Sequence, residues 1–330
     1  MLKLVGQILL WLRGGSLKLL VIAGIILLVW GVFAPVGTLI WWVQQGAKFV
    51  GLGKDAPALP EGDRPTPEPS AASTNCYIVF LTGVGDFSAN QLTLGEELFL
   101  DQLVQTHPNC VAVRDVFPYS AANESLGGNR LLAPLWKFAQ EADGWLENLN
   151  ILIKIRNLWR FAISVDDRYG IAYNQGIASA IVERMSAESP LPASSEPITV
   201  ILIGTSGGAQ VALGASQYLD QWLNAEISMV SIGGVFSGTD GFKSVDQMYH
   251  LYGQRDWIED LGAILFASRW PSTVGSPFNQ AKREGDYAAQ VIGSQAHDGN
   301  EGYFGLAPQP DGTAPLDATI EAVNQLPIWP

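Results

Sequence analysis

Residues 198–216 read ITVILIGTSGGAQVALGAS, and this stretch decides how the rest of the chain is interpreted. An apolar, β-branched run (198–203) leads into the pentapeptide GTSGG (204–208), and small residues continue from Ala209. The G-x-S-x-G nucleophile elbow requires this strand–turn–helix order, because its serine, here Ser206, adopts a strained backbone conformation that only small neighbours tolerate. In a chain with 35 glycines the pentapeptide alone would mean little, so its setting carries the prediction.

On both sides of the elbow, short apolar runs alternate with helical patterns. Several of the runs are continuously apolar and bounded by Gly or Pro, as expected of strands that are buried on both faces. The alternation predicts an α/β fold, with a mostly parallel, doubly wound sheet covered by helices. The predicted strands are Tyr77–Leu81, Val111–Val116, Ile198–Ile203, Met229–Ile232, Met248–Tyr252 and Ala288–Ile292. The predicted helices are Gln91–Thr106, Tyr169–Ala187, Ala209–Asn224, Trp257–Ala267 and Asp317–Gln325.

The elbow and its flanking strands resemble the α/β-hydrolase family over residues 76–330. That family orders its triad as serine, acid, histidine. Here the strand near Met248 ends in the tetrapeptide GQRD, which closes on Asp256, and the last strand leads into a glycine-rich loop with His297. The resemblance therefore implies a triad of Ser206, Asp256 and His297. Asp240, after the Met229–Ile232 strand, occupies an alternative acid position.

The chain contains only three histidines, which constrains the choice of base. His107 precedes the second strand and so falls at the opposite end of the sheet, and His250 lies within a strand. Both are predicted to be structural, which leaves His297.

An oxyanion hole requires two N–H donors. The start of the helix after the elbow supplies the N–H of Gly207. The family takes a second N–H from the loop after the neighbouring strand, here Thr82 to Gly85, where His-Gly is often found and this chain has Thr82-Gly83. Gly83, Val84 and Gly85 are all candidates for that second donor.

The implied activity is that of a serine hydrolase that cleaves an acyl ester or thioester through an acyl-enzyme, without a metal or cofactor. An acyltransferase on the same scaffold would use an acceptor alcohol in place of water. A third hypothesis, from another class of function, is a catalytically inactive hydrolase fold that serves as a membrane-tethered binding module.

The amino-terminal region predicts a membrane anchor in residues 1–54. No charged residue lies between Lys18 and Lys48, and the 25 residues of Leu19–Val43 would span roughly 38 Å as a helix, more than the ~30 Å hydrocarbon core. A cleaved signal peptide and a buried core helix are alternatives, but the apolar region of a signal peptide is usually shorter and a core helix rarely stays uncharged for so long. We therefore expect a single transmembrane helix over residues 19–43.

Charge is distributed unevenly along the chain. The first 55 residues carry five basic and one acidic side chain, so +4 of the formal charge of −13 lies there and −17 falls on the remainder. An acidic body argues against nucleic acid as a partner, whereas basic flanks suit the headgroups of a lipid bilayer. The distribution of basic residues on the two sides of the predicted span favours an orientation with the catalytic domain outside the cytosol.

Between anchor and domain, residues 55–75 are rich in Pro, Ala and charge and predict an extended linker. The hydrolase domain is then expected over residues 76–330, with a helical, Trp-rich insertion at about 120–166. We expect Trp145, Leu152 and Trp159 to line a substrate pocket, because walls for an acyl chain would account for their apolar character. A plain packing helix is the alternative.

Cys76 and Cys110 each open a predicted strand. If these strands are parallel neighbours, the two thiols lie side by side, which permits a disulfide and implies an oxidising compartment. Two buried free cysteines are the alternative.

Overall fold

The computed structural model describes residues 74–85, 92–121, 123, 150–166, 168–192, 196–309 and 312–330. The predicted transmembrane helix at 19–43 and nearly all of the linker at 55–75 lie outside these residues. Within them, no helix is long and apolar enough to cross a bilayer. The anchor and the domain boundaries therefore stay predictions.

Six parallel strands form one sheet in the order β2-β1-β3-β4-β5-β6, which confirms the predicted mostly parallel α/β sheet. Each predicted strand is present, although β2 is shorter than expected because the chain leaves the sheet after Val113. There Arg114 turns outward to pair with Glu97 and Asp101. The strands are β1 (Cys76–Leu81), β2 (Cys110–Val113), β3 (Ile198–Thr205), β4 (Ala225–Ile232), β5 (Gln247–Gly253) and β6 (Tyr287–Gly293).

Seven α-helices are described, and five of them correspond to predicted ones. A sixth, in the insertion, matches the helical insertion expected there. The remaining helix begins at Pro277; it was not predicted because its sequence, PFNQAKRE, is short and mostly polar, with only Phe278 and Ala281 buried. The helices are α1 (Leu94–Thr106), α2 (Asn150–Val165), α3 (Gly170–Glu188), α4 (Gly207–Trp222), α5 (Trp257–Leu265), α6 (Pro277–Glu284) and α7 (Pro315–Asn324).

Strand β1 shows how the sheet divides the core into two layers. All six of its side chains are buried, so alternate residues serve opposite faces. Tyr77, Val79 and Leu81 pack in the layer that includes residues of α3 and α4, whereas Ile78 and Phe80 pack in the layer of α1 and α7. The helices therefore cover both faces and leave the carboxyl ends of the strands to carry the loops.

Cys76 and Cys110 are directly paired in the parallel register of β1 and β2 and form a disulfide, with a Cα–Cα distance of 4.4 Å. The alternative of two free thiols therefore does not hold. The disulfide lies at the amino ends of its strands, at the sheet edge opposite the end of β3 that leads to Ser206.

The predicted insertion at 120–166 is described only in part, chiefly as α2. This helix packs against α3 and α4, so it lies beside the helix that begins at the elbow. Trp145 and the side chain of Leu152 lie outside the described part of the chain. Trp159 is described and is 41% exposed.

Candidate active site

The turn between β3 and α4 has the strained geometry that an elbow requires. Ser206 adopts φ 49° and ψ −125°, a conformation that L-residues rarely occupy. A Cβ on Gly204 would come 2.5 Å from the Cα of Ala209, and a Cβ on Gly208 would overlap the carbonyl oxygens of Leu81 and Thr82. Strand and helix can approach this closely only because both positions are glycine.

Three polar side chains meet at the carboxyl edge of the sheet. His297, in the loop after β6, places Nε2 2.9 Å from Ser206 Oγ. Its Nδ1 lies 2.9 Å from both carboxylate oxygens of Asp256, which comes after β5. The imidazole is thus held between a hydroxyl and a carboxylate, the arrangement that transfers a proton from a serine. These are the three residues that the family resemblance implied.

The Asp256 carboxylate is fully buried and collects several hydrogen bonds. Its Oδ1 caps α5 by accepting the N–H groups of Ile258 and Glu259 at 3.0 and 3.2 Å, and Tyr303 donates its hydroxyl to Oδ2. Burial by itself raises the pKa of the Asp256 carboxyl, but the hydrogen bonds from His297 and Tyr303 outweigh burial and hold the pKa below its usual value. The carboxylate is therefore ionised at neutral pH.

Two of the candidate oxyanion donors, Gly83 and Gly207, lie beside Ser206. A Cβ on Gly83 would lie 3.4 Å from the Cβ of Ser206, and one on Gly207 would lie 2.8 Å from a methyl group of Val84. Gly207 begins α4, where the first N–H groups of a helix have no intrahelical acceptor. The loop after β1 and the start of α4 thus face each other beside the serine, Gly85 lying at the outer end of that loop.

Helix α2 reaches this loop with two side chains that the sequence analysis did not single out. Asn157, fully buried, donates its side-chain N–H to the carbonyl of Val84 at 2.9 Å. The aliphatic part of the Lys154 side chain lies near Gly85, and its Nζ is 3.7 Å from the carboxylate of Asp298, the residue after His297. The insertion helix therefore contacts the loops on both sides of Ser206. No local pattern marks these residues, because their partners are far away in sequence.

The structure also places Asp240, His107 and His250, which the sequence analysis considered besides the three residues above. Asp240 begins a short 3₁₀ helix, Asp240–Lys243, whose Gly241 lies against Leu213, two turns beyond the elbow, and the carboxylate that contacts His297 is that of Asp256. His107 stacks on Trp329 at the far end of the sheet. His250 is buried in β5 between Ser231 and Glu259.

Of the three residues that were predicted to line a substrate pocket, only Trp159 has a described side chain. Trp159 is exposed, and a cavity of about 290 Å³ between α2, α3 and α4 is lined by Asn174 and Gln210 but not by Ser206. The side chains nearest Gly207 are instead those of Val84, Phe161 and Tyr119. The lipid-binding pocket remains a prediction. In the described ranges, no group of His, Cys, Asp and Glu side chains is placed to hold a metal ion.

No protein-family model and no curated protein match the chain. Two solved structures resemble it. A dienelactone hydrolase-like promiscuous phosphotriesterase from metagenomic libraries is 11% identical over 78% of this chain and 86% of its own, with a TM-score of 0.41. A structure named m3DLH is 14% identical over 78% of this chain and 87% of its own, with a TM-score of 0.43. Likeness at this level does not bear on the reaction, which has to be inferred from the side chains.

Proposed function

We propose that the chain is a serine hydrolase that cleaves acyl esters or thioesters, with Ser206 as nucleophile, His297 as base and Asp256 as orienting acid. One observation carries the proposal: the imidazole of His297 bridges Ser206 Oγ and the Asp256 carboxylate at 2.9 Å on each side. A buried serine–histidine contact could be structural, but this serine sits in a strained turn that presents its hydroxyl at the sheet edge.

The reaction can be derived from these positions. Nε2 of His297 accepts the hydroxyl proton as Ser206 Oγ attacks the acyl carbon, and Asp256 stabilises the imidazolium. The imidazolium then protonates the departing alkoxide or thiolate as the bond to the acyl carbon breaks. Water, deprotonated by the same imidazole, attacks the acyl-enzyme; the acid is released and the proton returns to Ser206.

Backbone N–H groups would stabilise, by hydrogen bonds, the negative charge that develops on the carbonyl oxygen. The proposal assigns one donor to Gly207 and the second to one of Gly83, Val84 or Gly85. Loss of one such donor typically slows the reaction about 10²–10³-fold.

We also propose a location and a preferred class of substrate for the protein. The uncharged run at Leu19–Val43 would anchor the chain in a bilayer, and a disulfide between Cys76 and Cys110 suits a domain outside the cytosol. A tethered enzyme beside a bilayer would meet acyl lipids, which makes lipid esters the first substrates to test.

The test is labelling of the full-length protein, in detergent, with a fluorophosphonate, together with turnover of acyl esters. Ser206→Ala should abolish labelling and turnover and leave the far-UV circular dichroism unchanged. Ser216→Ala is the matched control, because this serine lies in α4, the helix that follows Ser206, and donates to the backbone carbonyls of Leu213 and Gly241.

Three other results would refute the mechanism or favour one of the other functions. Equal turnover by wild type and Ser206→Ala would refute the mechanism. No labelling of wild type would favour the inactive binding module. Labelling and then transfer of the acyl group to an added alcohol, with little free acid, would identify an acyltransferase.

A further inference from the structure

A fourth side chain, that of Tyr303, extends the three that make up the proposed triad. Its hydroxyl donates to Asp256 Oδ2 at 2.5 Å and accepts the backbone N–H of Gly253 at 3.0 Å. The side chain is almost completely buried, six residues beyond His297. The contacts form a continuous series from Tyr303 through Asp256 and His297 to Ser206.

The position of Tyr303 is constrained from several sides. Thr319, in α7, donates its hydroxyl to the backbone carbonyl of Tyr303 at 2.9 Å. Gly233, at φ +53°, lies directly against the phenol ring, and a Cβ there would also come 2.7 Å from Asp256 Oδ2. Because backbone and ring are both held, the hydroxyl has little freedom to move away from the carboxylate.

Tyr303 can act only as a donor towards Asp256. Burial and the neighbouring Asp256 carboxylate raise the pKa of the Tyr303 hydroxyl far above its ordinary value, so the phenol stays protonated wherever an esterase would work. The N–H of Gly253 occupies its oxygen from another side. The single phenol proton is thus committed to Oδ2.

We propose that Tyr303 is a positioning residue that fixes the orientation of the Asp256 carboxylate and limits how strongly this carboxylate stabilises the His297 imidazolium. The inference deepens the proposed function and rests on it. A hydrogen bond to a charged oxygen is among the stronger ones in proteins, and it withdraws negative charge from that oxygen. Asp256 then stabilises the imidazolium through Nδ1 less strongly, so that the imidazolium can still release its Nε2 proton to the leaving group.

Tyr303→Phe keeps the ring and removes the hydroxyl, and with it both the bond to Asp256 and the acceptor of the Gly253 N–H. The Asp256 carboxylate then carries more negative charge and stabilises the imidazolium more strongly. The acidic limb of the pH profile of kcat/KM should move up by roughly 0.5–1 pH unit. We expect kcat to fall about tenfold, because the carboxylate is also less well oriented, with KM changed less than about twofold. A residue that served only the stability of the fold would not move the limb.

Tyr77→Phe is the matched control. Tyr77 is also a buried tyrosine whose hydroxyl bonds to the protein, here to the carbonyls of Ser189 and Pro190, away from the site. This variant should keep both the wild-type kcat and the wild-type position of the acidic limb, whatever it costs in stability.

The experiment uses the full-length protein and one chromogenic acyl ester throughout. If Tyr303→Phe does not fold, 3-fluorotyrosine introduced at position 303 keeps the hydroxyl and makes it more acidic. As a stronger donor it should move the acidic limb to lower pH. A profile that superimposes on the wild type, in whichever of the two variants folds, overturns the inference.

The experiments distinguish a failure of the proposed function from a failure of the role inferred for Tyr303. If wild-type protein neither turns over esters nor reacts with a fluorophosphonate, the hydrolase proposal is wrong. If wild type is active and labelled at Ser206 but the limb does not respond to position 303, only the role of Tyr303 is wrong.

Discussion

At the scale of single residues, Gly208 is where α4 meets the end of β1. A Cβ at this position would overlap the carbonyl oxygens of Leu81 and Thr82, which belong to the backbone and cannot rotate away. We therefore expect Gly208→Ala to lower the free energy of unfolding by about 1–3 kcal/mol, the range of overpacked sites, and to reduce activity by displacing the elbow. Denaturant unfolding monitored by circular dichroism measures the first effect, and ester turnover measures the second.

Gly275→Ala provides the control for this substitution. No atom lies within 4 Å of a Cβ at Gly275, and its backbone is not in the left-handed region. Its free energy of unfolding should stay within about 0.5 kcal/mol of wild type. A Gly208→Ala protein as stable and as active as Gly275→Ala would mean that the close approach of α4 to β1 is not needed.

The sequence predicts the positions of some residues of the candidate site but not of others. Ser206, Asp256 and His297 could be named because each comes after a recognisable apolar strand, and carboxyl ends of parallel strands share one edge. Tyr303 and Asn157 could not, because their contacts depend on loop and helix positions that no local pattern encodes.

At the scale of elements, α2 is coupled to the loop after β1 by the hydrogen bond from Asn157 to the carbonyl of Val84. Asn157→Asp keeps the oxygen that accepts from Arg156 but turns the donor into an acceptor that repels the Val84 carbonyl. The loop that carries the candidate oxyanion donors should then shift. A shift of about 1 Å can cost roughly 10²-fold in rate, so we expect kcat to fall between about tenfold and a hundredfold with a smaller change in KM. Steady-state ester hydrolysis measures both.

Asn279→Asp is the corresponding control, because the amide of Asn279 also donates to loop carbonyls, those of Trp270 and Thr273. It should lower thermal stability without a matching loss of kcat. If both variants lose kcat equally, the effect of Asn157 is one of general stability rather than of loop position.

Strands and helices could be predicted from the sequence where burial imposes an apolar pattern on their residues. Every strand of the described sheet was predicted. The inner strands are continuously apolar because helices cover both of their faces, whereas β6 is a largely exposed edge strand to which this reason does not apply. Helix α6 was missed, since its buried residues are few, Phe278 and Ala281 among them, and its start is set by the Ser276 cap. The chemistry of α2 was missed as well: the prediction concerned its apolar residues, whereas its contacts with the site loops come from Lys154 and Asn157.

At the scale of the whole molecule, the disulfide ties the two strands at one side of the sheet, far from the reactive edge. The arrangement separates stability from catalysis: Cys76 and Cys110 lie at the amino ends of β1 and β2, whereas the loops of the site leave carboxyl ends. The disulfide also supports the proposed location outside the cytosol, because disulfides form and persist mainly in oxidising compartments.

Replacing both cysteines, as Cys76→Ala with Cys110→Ala, should therefore destabilise the domain without impairing the site. The bond closes a loop with a sequence separation of 34 residues, for which chain entropy predicts a loss of about 3–4 kcal/mol and a fall in Tm of roughly 10 °C. Calorimetry with and without reductant measures the loss: reductant should lower the Tm of wild type towards that of the variant and leave the variant unchanged. Below the lowered Tm, kcat should stay within about twofold of wild type. Because this disulfide sits at the opposite sheet edge, a large loss of kcat at that temperature would show that the two edges are coupled, and a reductant-insensitive wild type would remove the support for an oxidising compartment.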